Sequence, residues 1–156
     1  MGKFTLQKTV YLNDTNAEGN VYFARFFDWQ GETREAYLKQ TAGKEELGSL
    51  FGSGARMLTV NASMEFYAAL WLFDEVRIEL TTCKIRRASF GMIFRFFKVS
   101  DGALVGRGLQ KLAFQDPQGR LMSIPPFIYR IAVEIEESSD LNPNSDSAVQ
   151  KLVAEE

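Results

Sequence analysis

The chain has 156 residues, 46% of them apolar and 24% charged, which is one domain's worth with enough apolar material for its own core. A single cysteine, Cys83, excludes an intrachain disulfide framework and a multi-cysteine zinc site; the absence of histidine excludes Ser-His-Asp and Cys-His triads and His-ligated metals. The formal charge is −2, but residues 1–133 carry 17 basic and 13 acidic side chains, whereas residues 134–156 carry one lysine and seven acids. The body is too weakly basic for a nucleic-acid partner, which calls for a concentrated basic stripe. No window approaches the roughly 18 apolar residues of a membrane span, and the N-terminus lacks a signal-peptide core. The expectation is a cytoplasmic protein with no membrane partner, no metal and no cofactor.

Taken in chain order, Phe4 to Leu12 alternates around β-branched and aromatic residues and predicts a strand. Residues 13–20, NDTNAEGN, bond their own backbone or tolerate positive φ, and predict a loop. From Val21 to about Gln40 the pattern is helical, with Asn20 as a plausible N-cap. Phe23, Phe27, Gln30 and Arg34 share one helix face, and Tyr22, Phe26, Trp29 and Thr33 lie beside it, so the helix should be wrapped by other structure. Residues 41–55, with four glycines, predict a short helix and loop. Strands follow at Arg56–Phe66, Glu75–Lys84, Ser89–Val99 and Leu104–Gln115, with turns at Asp101-Gly102 and at residues 116–119. A short strand at Arg120–Ser123 precedes Pro125-Pro126, which leads into a last helix or strand. The domain is set at residues 1–135, and 136–156 is expected to be an acidic, mobile tail. One helix followed by hairpin-connected strands gives an α+β class with an antiparallel sheet.

The run Asp14-Thr15-Asn16-Ala17-Glu18-Gly19-Asn20-Val21-Tyr22-Phe23, followed by Trp29-Gln30-Gly31 and Arg34-Glu35, resembles the hotdog-fold thioesterases of the 4-hydroxybenzoyl-CoA type. In that family a strand ends in an Asp-rich motif, an aromatic helix follows, and five or six antiparallel strands wrap it. The second Asp of the motif, usually the catalytic carboxylate, is Asn16 here. This makes the chain similar to the subgroup that accompanies iterative enediyne polyketide synthases. The resemblance implies hydrolysis of an acyl or β-ketoacyl thioester, with an acyl carrier protein or CoA as the partner that delivers it. It also implies a homo-oligomer, a dimer or dimer of dimers, with the site at the dimer interface. A general acyl-CoA thioesterase and a non-catalytic acyl-binding protein are the alternatives.

The residues set limits on the chemistry. Asn16 is neither base nor nucleophile; it donates and accepts hydrogen bonds, so hydrolysis would rest on orienting water and polarising the carbonyl. It can equally be an Asx-turn residue that shapes the loop. The backbone N–H at Phe23 is the oxyanion donor that the resemblance implies, at a helix start suited to the task. Arg34 lies about 16 Å further along a continuous helix at 1.5 Å per residue, so an orienting role fits better than contact with the carbonyl. Tyr22, Phe26 and Glu65 are candidate substrate-binding residues. Asp14, Glu18 or Glu65 would replace the missing base, or be solvated. Arg86 and Arg87 would hold a phosphopantetheine or nucleotide phosphate, or serve solubility. Phe90, Phe94 and Phe96 read as core, with some lining an acyl channel.

Overall fold

The alternation of Val76, Ile78 and Leu80 with charged neighbours continues on the next strand as Phe90, Met92, Phe94 and Phe96, and all seven are buried. A strand alternates its side chains between two faces, so these residues define one apolar sheet face that a helix can cover. The structure, a computed structural model, describes residues 2–137. Its elements are β1 (Phe4–Thr9), α1 (Phe23–Thr41), α2 (Gly43–Gly52), β2 (Arg56–Phe66), β3 (Glu75–Cys83), β4 (Ser89–Lys98), β5 (Leu104–Gln115) and α3 (Pro126–Glu134). The five strands form one antiparallel sheet in the order β1-β3-β4-β5-β2. Helix α1 lays Phe26, Trp29, Gln30, Thr33, Tyr37 and Leu38 against the apolar face. This is the arrangement expected of a hotdog fold.

The approach of α1 to the sheet is set by glycine at one strand position. A Cβ at Gly108 would lie 2.1 Å from Gln30 Nε2, so only a residue without a side chain lets the Gln30 amide lie across β5. Strand β2 is one edge of the sheet and β1 the other. Strand β2 is 11 residues long and mostly exposed, and the register shifts by one residue between Thr59 and Asn61, a β-bulge. Among the described residues no helix is long and apolar enough to cross a membrane.

Four expectations change. The first strand ends at Thr9, and Leu12–Asp14 forms a 3₁₀ turn. Helix α1 starts at Phe23 with Tyr22 at the N-cap, so Asn20 is not the cap. The reason is pairing: the N–H of Val21 donates to Leu70 O and that of Tyr22 to Asp14 O, holding both residues out of the helix. The expected strand at Arg120–Ser123 reduces to one bridge between Gln115 and Leu121. Glu136 and Glu137, placed at the head of the expected tail, belong to the fold: Thr82 N donates to Ile135 O, and Glu137 N donates to Thr82 O. The Glu137 carboxylate also accepts from Thr81 Oγ1 at 2.5 Å and pairs with Arg95. The rest of that segment lies outside the described residues.

Candidate active site

The 13–22 segment folds back on itself. Asn16 N donates to Asn20 O and Gly19 N to Asn16 O, at 2.9 and 3.0 Å, and Thr15 pairs antiparallel with Val21. Gly19 takes φ 93°, a conformation that favours glycine, and Trp71 packs 3.6 Å from where its Cβ would be. Asn16 Oδ1 accepts from Glu18 N–H at 3.0 Å, the Asx turn anticipated as one reading of this residue. Its Nδ2 has no partner among the described residues and remains a donor.

A cavity of about 410 Å³ opens beside this loop, lined by Asn16, Asn20, Phe23, Phe26, Phe66 and Tyr67 among others. Two elements distant in sequence build it: the start of α1 and the segment after β2. Phe26 forms its floor, with ring centroids 5.1 Å from Phe66 and 5.3 Å from Phe96, both edge-on. Edge-to-face pairs of this kind contribute about 0.5–1.5 kcal/mol each beyond area burial. Phe23 is 57% exposed, and the Tyr22 ring lies tilted at 58° to it with centroids 4.8 Å apart. The Phe23 N–H, first in the helix, has no backbone acceptor. Asn20 Oδ1 is buried in this wall with no donor among the described residues. The loop therefore brings an amide donor and a helix-terminal N–H to one cavity of mixed polar and apolar lining, with an orphan acceptor buried in its wall.

Arg34 goes elsewhere. Its Nη1 donates to Thr59 Oγ1 and to Gln110 Oε1, both at 3.1 Å, and its Nη2 pairs with Glu35 at 2.6 Å. Gln110 Nε2 in turn donates to Gln30 Oε1 at 3.1 Å, and Gln30 Nε2 to Ser63 O at 3.1 Å. Arg34 anchors no carbonyl of the 13–19 loop, because α1 runs straight and carries it to β2 rather than back to Asn16. Gln30, Gln110 and Thr59 are the residues that sequence reasoning missed. The visible signal was a glutamine between Trp29 and Gly31, on the helix face that also carries Arg34.

The other candidates separate. Asp14 caps the 3₁₀ turn, its Oδ2 accepting from Tyr11 N at 2.9 Å, so it is committed to the loop. Glu18 is exposed and outside the cavity lining. Glu65 also fails to line the cavity. It neighbours Phe66 on β2, and Tyr67, which does line the cavity, donates to its carboxylate through Oη at 2.7 Å. Arg86 and Arg87 part company: Arg87 Nη1 donates to Ser123 Oγ at 2.9 Å, while Arg86 lines a second cavity on the outer sheet face. Phe90, Phe94 and Phe96 are core.

The chain was compared with known proteins. Residues 10–131 match a family described as the thioesterase-like superfamily. A 1,4-dihydroxy-2-naphthoyl-CoA hydrolase from Crocosphaera subtropica is 31% identical over 93 residues, covering 60% of this chain and 67% of the relative. The enzyme of that name from Rippkaea orientalis is 29% identical over 115 residues, covering 72% and 82%. Among solved structures, a dynemicin thioesterase, described in terms of induced fit and allosteric effects upon polyene binding, superposes with TM-score 0.80 at 26% identity, covering 88% of this chain and 99% of that one. A 1,4-dihydroxy-2-naphthoyl-CoA thioesterase from Synechocystis gives TM-score 0.79 at 22% identity, covering 88% and 100%. With the family match spanning most of the described residues, and the order of elements agreeing with it, the chain belongs to the thioesterase-like superfamily and is a thioester hydrolase of the hotdog fold.

Proposed function

We propose that the protein releases an acyl or β-ketoacyl chain from its thioester by water attack in the Asn16 cavity, without a carboxylate base. The observation that carries this is the cavity wall itself: Asn16 and Phe23 border a space that no carboxylate lines, with the orphan Asn20 Oδ1 buried in its wall. The acyl carbonyl takes hydrogen bonds from Phe23 N–H and Asn16, which strengthen as its oxygen becomes anionic. The attacking water enters from the solvent side of the cavity and gives up its proton to solvent as it adds to the carbonyl carbon. Collapse of the tetrahedral species expels the thiolate, which solvent protonates. This machinery suits an activated thioester; a β-ketoacyl carbonyl needs less help than an unactivated one.

Arg34 enters from a second copy of the chain. Thr59, which holds it, lies near one end of edge strand β2, and Phe66 at the cavity lies at the other end. Antiparallel pairing of two β2 edges about a two-fold axis near mid-strand brings the Thr59 end of one copy to the Phe66 end of the other. In that dimer Arg34 acts across the interface. Tyr22 and Trp71, both exposed, offer aromatic surface to an extended unsaturated chain, over buried Phe26.

The favoured substrate is a polyketide chain on an acyl carrier protein of an iterative, enediyne-type synthase, in keeping with the Thr-Asn and Gly-Asn-Val-Tyr pattern and the dynemicin neighbour. A second reading, an aryl-CoA of the kind the cyanobacterial relatives are named for, is favoured by those relatives. Thiol release from a panel of polyenyl and β-ketoacyl carrier-protein thioesters and aryl- and alkyl-CoA thioesters decides. Preference for polyenyl carrier thioesters supports the first reading, and preference for aryl-CoA replaces it with the second. Mixing Asn16→Ala with Arg34→Ala subunits tests the dimer: a site shared across the interface regains activity in the hybrid.

A further inference from the structure

On the sheet face turned away from α1, the register sets Thr81, Ile93, Leu109 and Ser63 in one row across β3, β4, β5 and β2, and Glu79, Arg95, Arg107 and Glu65 in the next. Ile93 is 1% exposed and Arg107 4%. Ile93 is nonetheless no part of the hydrophobic core cluster, to which α1, α2 and α3 deliver their apolar side chains on the other face. None of the described helices therefore covers these rows. A strand side chain stands roughly perpendicular to its sheet, so neighbours on a bare face shade an isoleucine only in part. An arginine is rarely so buried without a partner. The outer face is thus shielded as a covered face is.

The chain itself arrives at this place. Glu137, the last described residue, donates its N–H to Thr82 O, and its carboxylate accepts from Thr81 Oγ1 and pairs with Arg95, within reach of the Arg107 charge. The next residues, 138–156, carry Asp140, Asp146, Glu155 and Glu156 against Lys151 alone, and Leu141, Val149, Leu152 and Val153 add apolar side chains. The face offers the opposite sign: Arg95 and Arg107 side by side, and exposed Lys111 further along β5. Its own acids are engaged, Glu79 with Lys3 and Arg77 and Glu65 with Tyr67. Reach is sufficient. The chain from Glu137 to Asp146 spans up to about 30 Å when extended, at about 3.3 Å per residue, and five strands measure about 19 Å across.

We propose that the outer sheet face is the docking surface of the chain's own segment 138–156, which lays its leucine and valine side chains over Ile93 and Leu109 and turns its acids to Arg95, Arg107 and Lys111. Glu137 is the first of these acids to land. The segment is then a cover of the fold, in place of the mobile tail that its composition suggests. A face so covered is closed to a second copy of the sheet. The proposal does not depend on the assignment of the reaction, since the Asn16 cavity opens on the α1 face.

The test uses the full chain with a nitroxide attached at Ser147→Cys, Cys83→Ser having removed the native thiol, and reads methyl NMR signals with the label oxidised and reduced. A Cys83→Ala background serves where serine is not tolerated. With the doubly labelled chain diluted in unlabelled protein, the Ile93 and Leu109 methyls should broaden most, Ile78 behind the sheet less, and Leu47 on α2 least. Asp140→Asn, Asp146→Asn, Glu155→Gln and Glu156→Gln combined should reduce the Ile93 broadening by about half or more, as should added salt. Glu45→Gln on α2 should leave it as it was. Broadening that is absent at Ile93, or equal at Ile93 and Leu47, overturns the proposal. Broadening unchanged by the four combined substitutions overturns the pairing of the acids with the cations. Broadening that appears only when nitroxide and methyl label sit on separate chains also overturns it, and assigns the face to a second copy.

Discussion

The first turn of α1 and its middle use polar groups in opposite ways. At the first turn, Asn16 Nδ2, the Phe23 N–H and Asn20 Oδ1 are left unspent beside a cavity. Two turns on, Gln30 is fully buried, and its amide, that of Gln110, and the Arg34 head are joined into one network that reaches Ser63 and Thr59 on β2. A buried polar group costs free energy unless it is bonded, so the middle network serves to fix the helix on the edge strand. The Asn16 amide and the Phe23 N–H are tolerable unbonded because they border an open cavity, whereas Asn20 Oδ1 is buried and unbonded beside them. The same helix thus carries a site at one end and that site's scaffold in the middle.

Breaking the scaffold should have the largest effect. Gln30→Ala leaves the Gln110 amide and the Ser63 carbonyl unpaired and opens a hole in the core, at a cost of about 2–4 kcal/mol in urea unfolding. Gly108→Ala drives a Cβ into the Gln30 amide and should cost about 1–3 kcal/mol. A loss under about 0.5 kcal/mol in both variants would mean that the network is incidental. Arg34→Lys keeps the charge but loses the planar fork that serves Thr59, Gln110 and Glu35 together. It should lower kcat/KM about tenfold with little change in melting, a split that an anchoring role alone would not give.

The difference between the two regions also marks what was legible in the sequence. Asn16, Tyr22, Phe23 and Phe26 are close along the chain, and a loop feeding a helix keeps such neighbours together in space. Phe66 and Tyr67 arrive from the far end of β2, and nothing local in the sequence says which helix turn they meet. The strand patterns at Arg56–Phe66 and Leu104–Gln115 were legible to the residue because alternation and turn residues bound them. The α1 start was missed by two residues because Val21 and Tyr22 are held by Leu70 and Asp14, contacts that no helical pattern encodes. Arg34's place was half legible: the helical rise gave its distance from Phe23, but only the sheet order shows that Thr59 and Gln110 lie beneath it.

Smaller effects sharpen the contrast through pH. The Tyr37 hydroxyl donates to Ile131 O at 2.6 Å, and its burial, with the Glu134 charge, raises its pKa from 10.0 to about 12. A raised pKa contributes stability that is present below pH 10 and lost as pH climbs through about 12, so melting should fall across that window in wild type and stay flatter in Tyr37→Phe. Burial raises the Glu137 carboxyl, but hydrogen bonds from Arg95 and Thr81 and the Arg95 and Arg107 charges outweigh it and hold the group below 4.5. Its contribution is present above that value and lost as pH falls below it, and Glu137→Gln should remove that part of the acid sensitivity. Neither change reaches the open end of α1. There, kcat/KM should show no limb near pH 6.5, where an imidazole would titrate, since the chain has no histidine. An acidic limb that disappears in Asp14→Asn, Glu18→Gln or Glu65→Gln would move the base to that carboxylate.

On the proposed mechanism Asn16, beside a cavity that no carboxylate lines, carries the hydrolysis. Thiol release by wild type, Asn16→Ala and Asn16→Asp, measured on one acyl thioester with melting monitored alongside, tests it most directly. Asn16→Ala should lose about a hundredfold in kcat, the scale of one oxyanion-type donor, with melting unchanged. Asn16→Asp should keep or raise hydrolysis of simple acyl-CoA thioesters, because it restores a carboxylate at the loop. Wild-type turnover in Asn16→Ala would contradict the account and leave Asn16 as a turn residue alone.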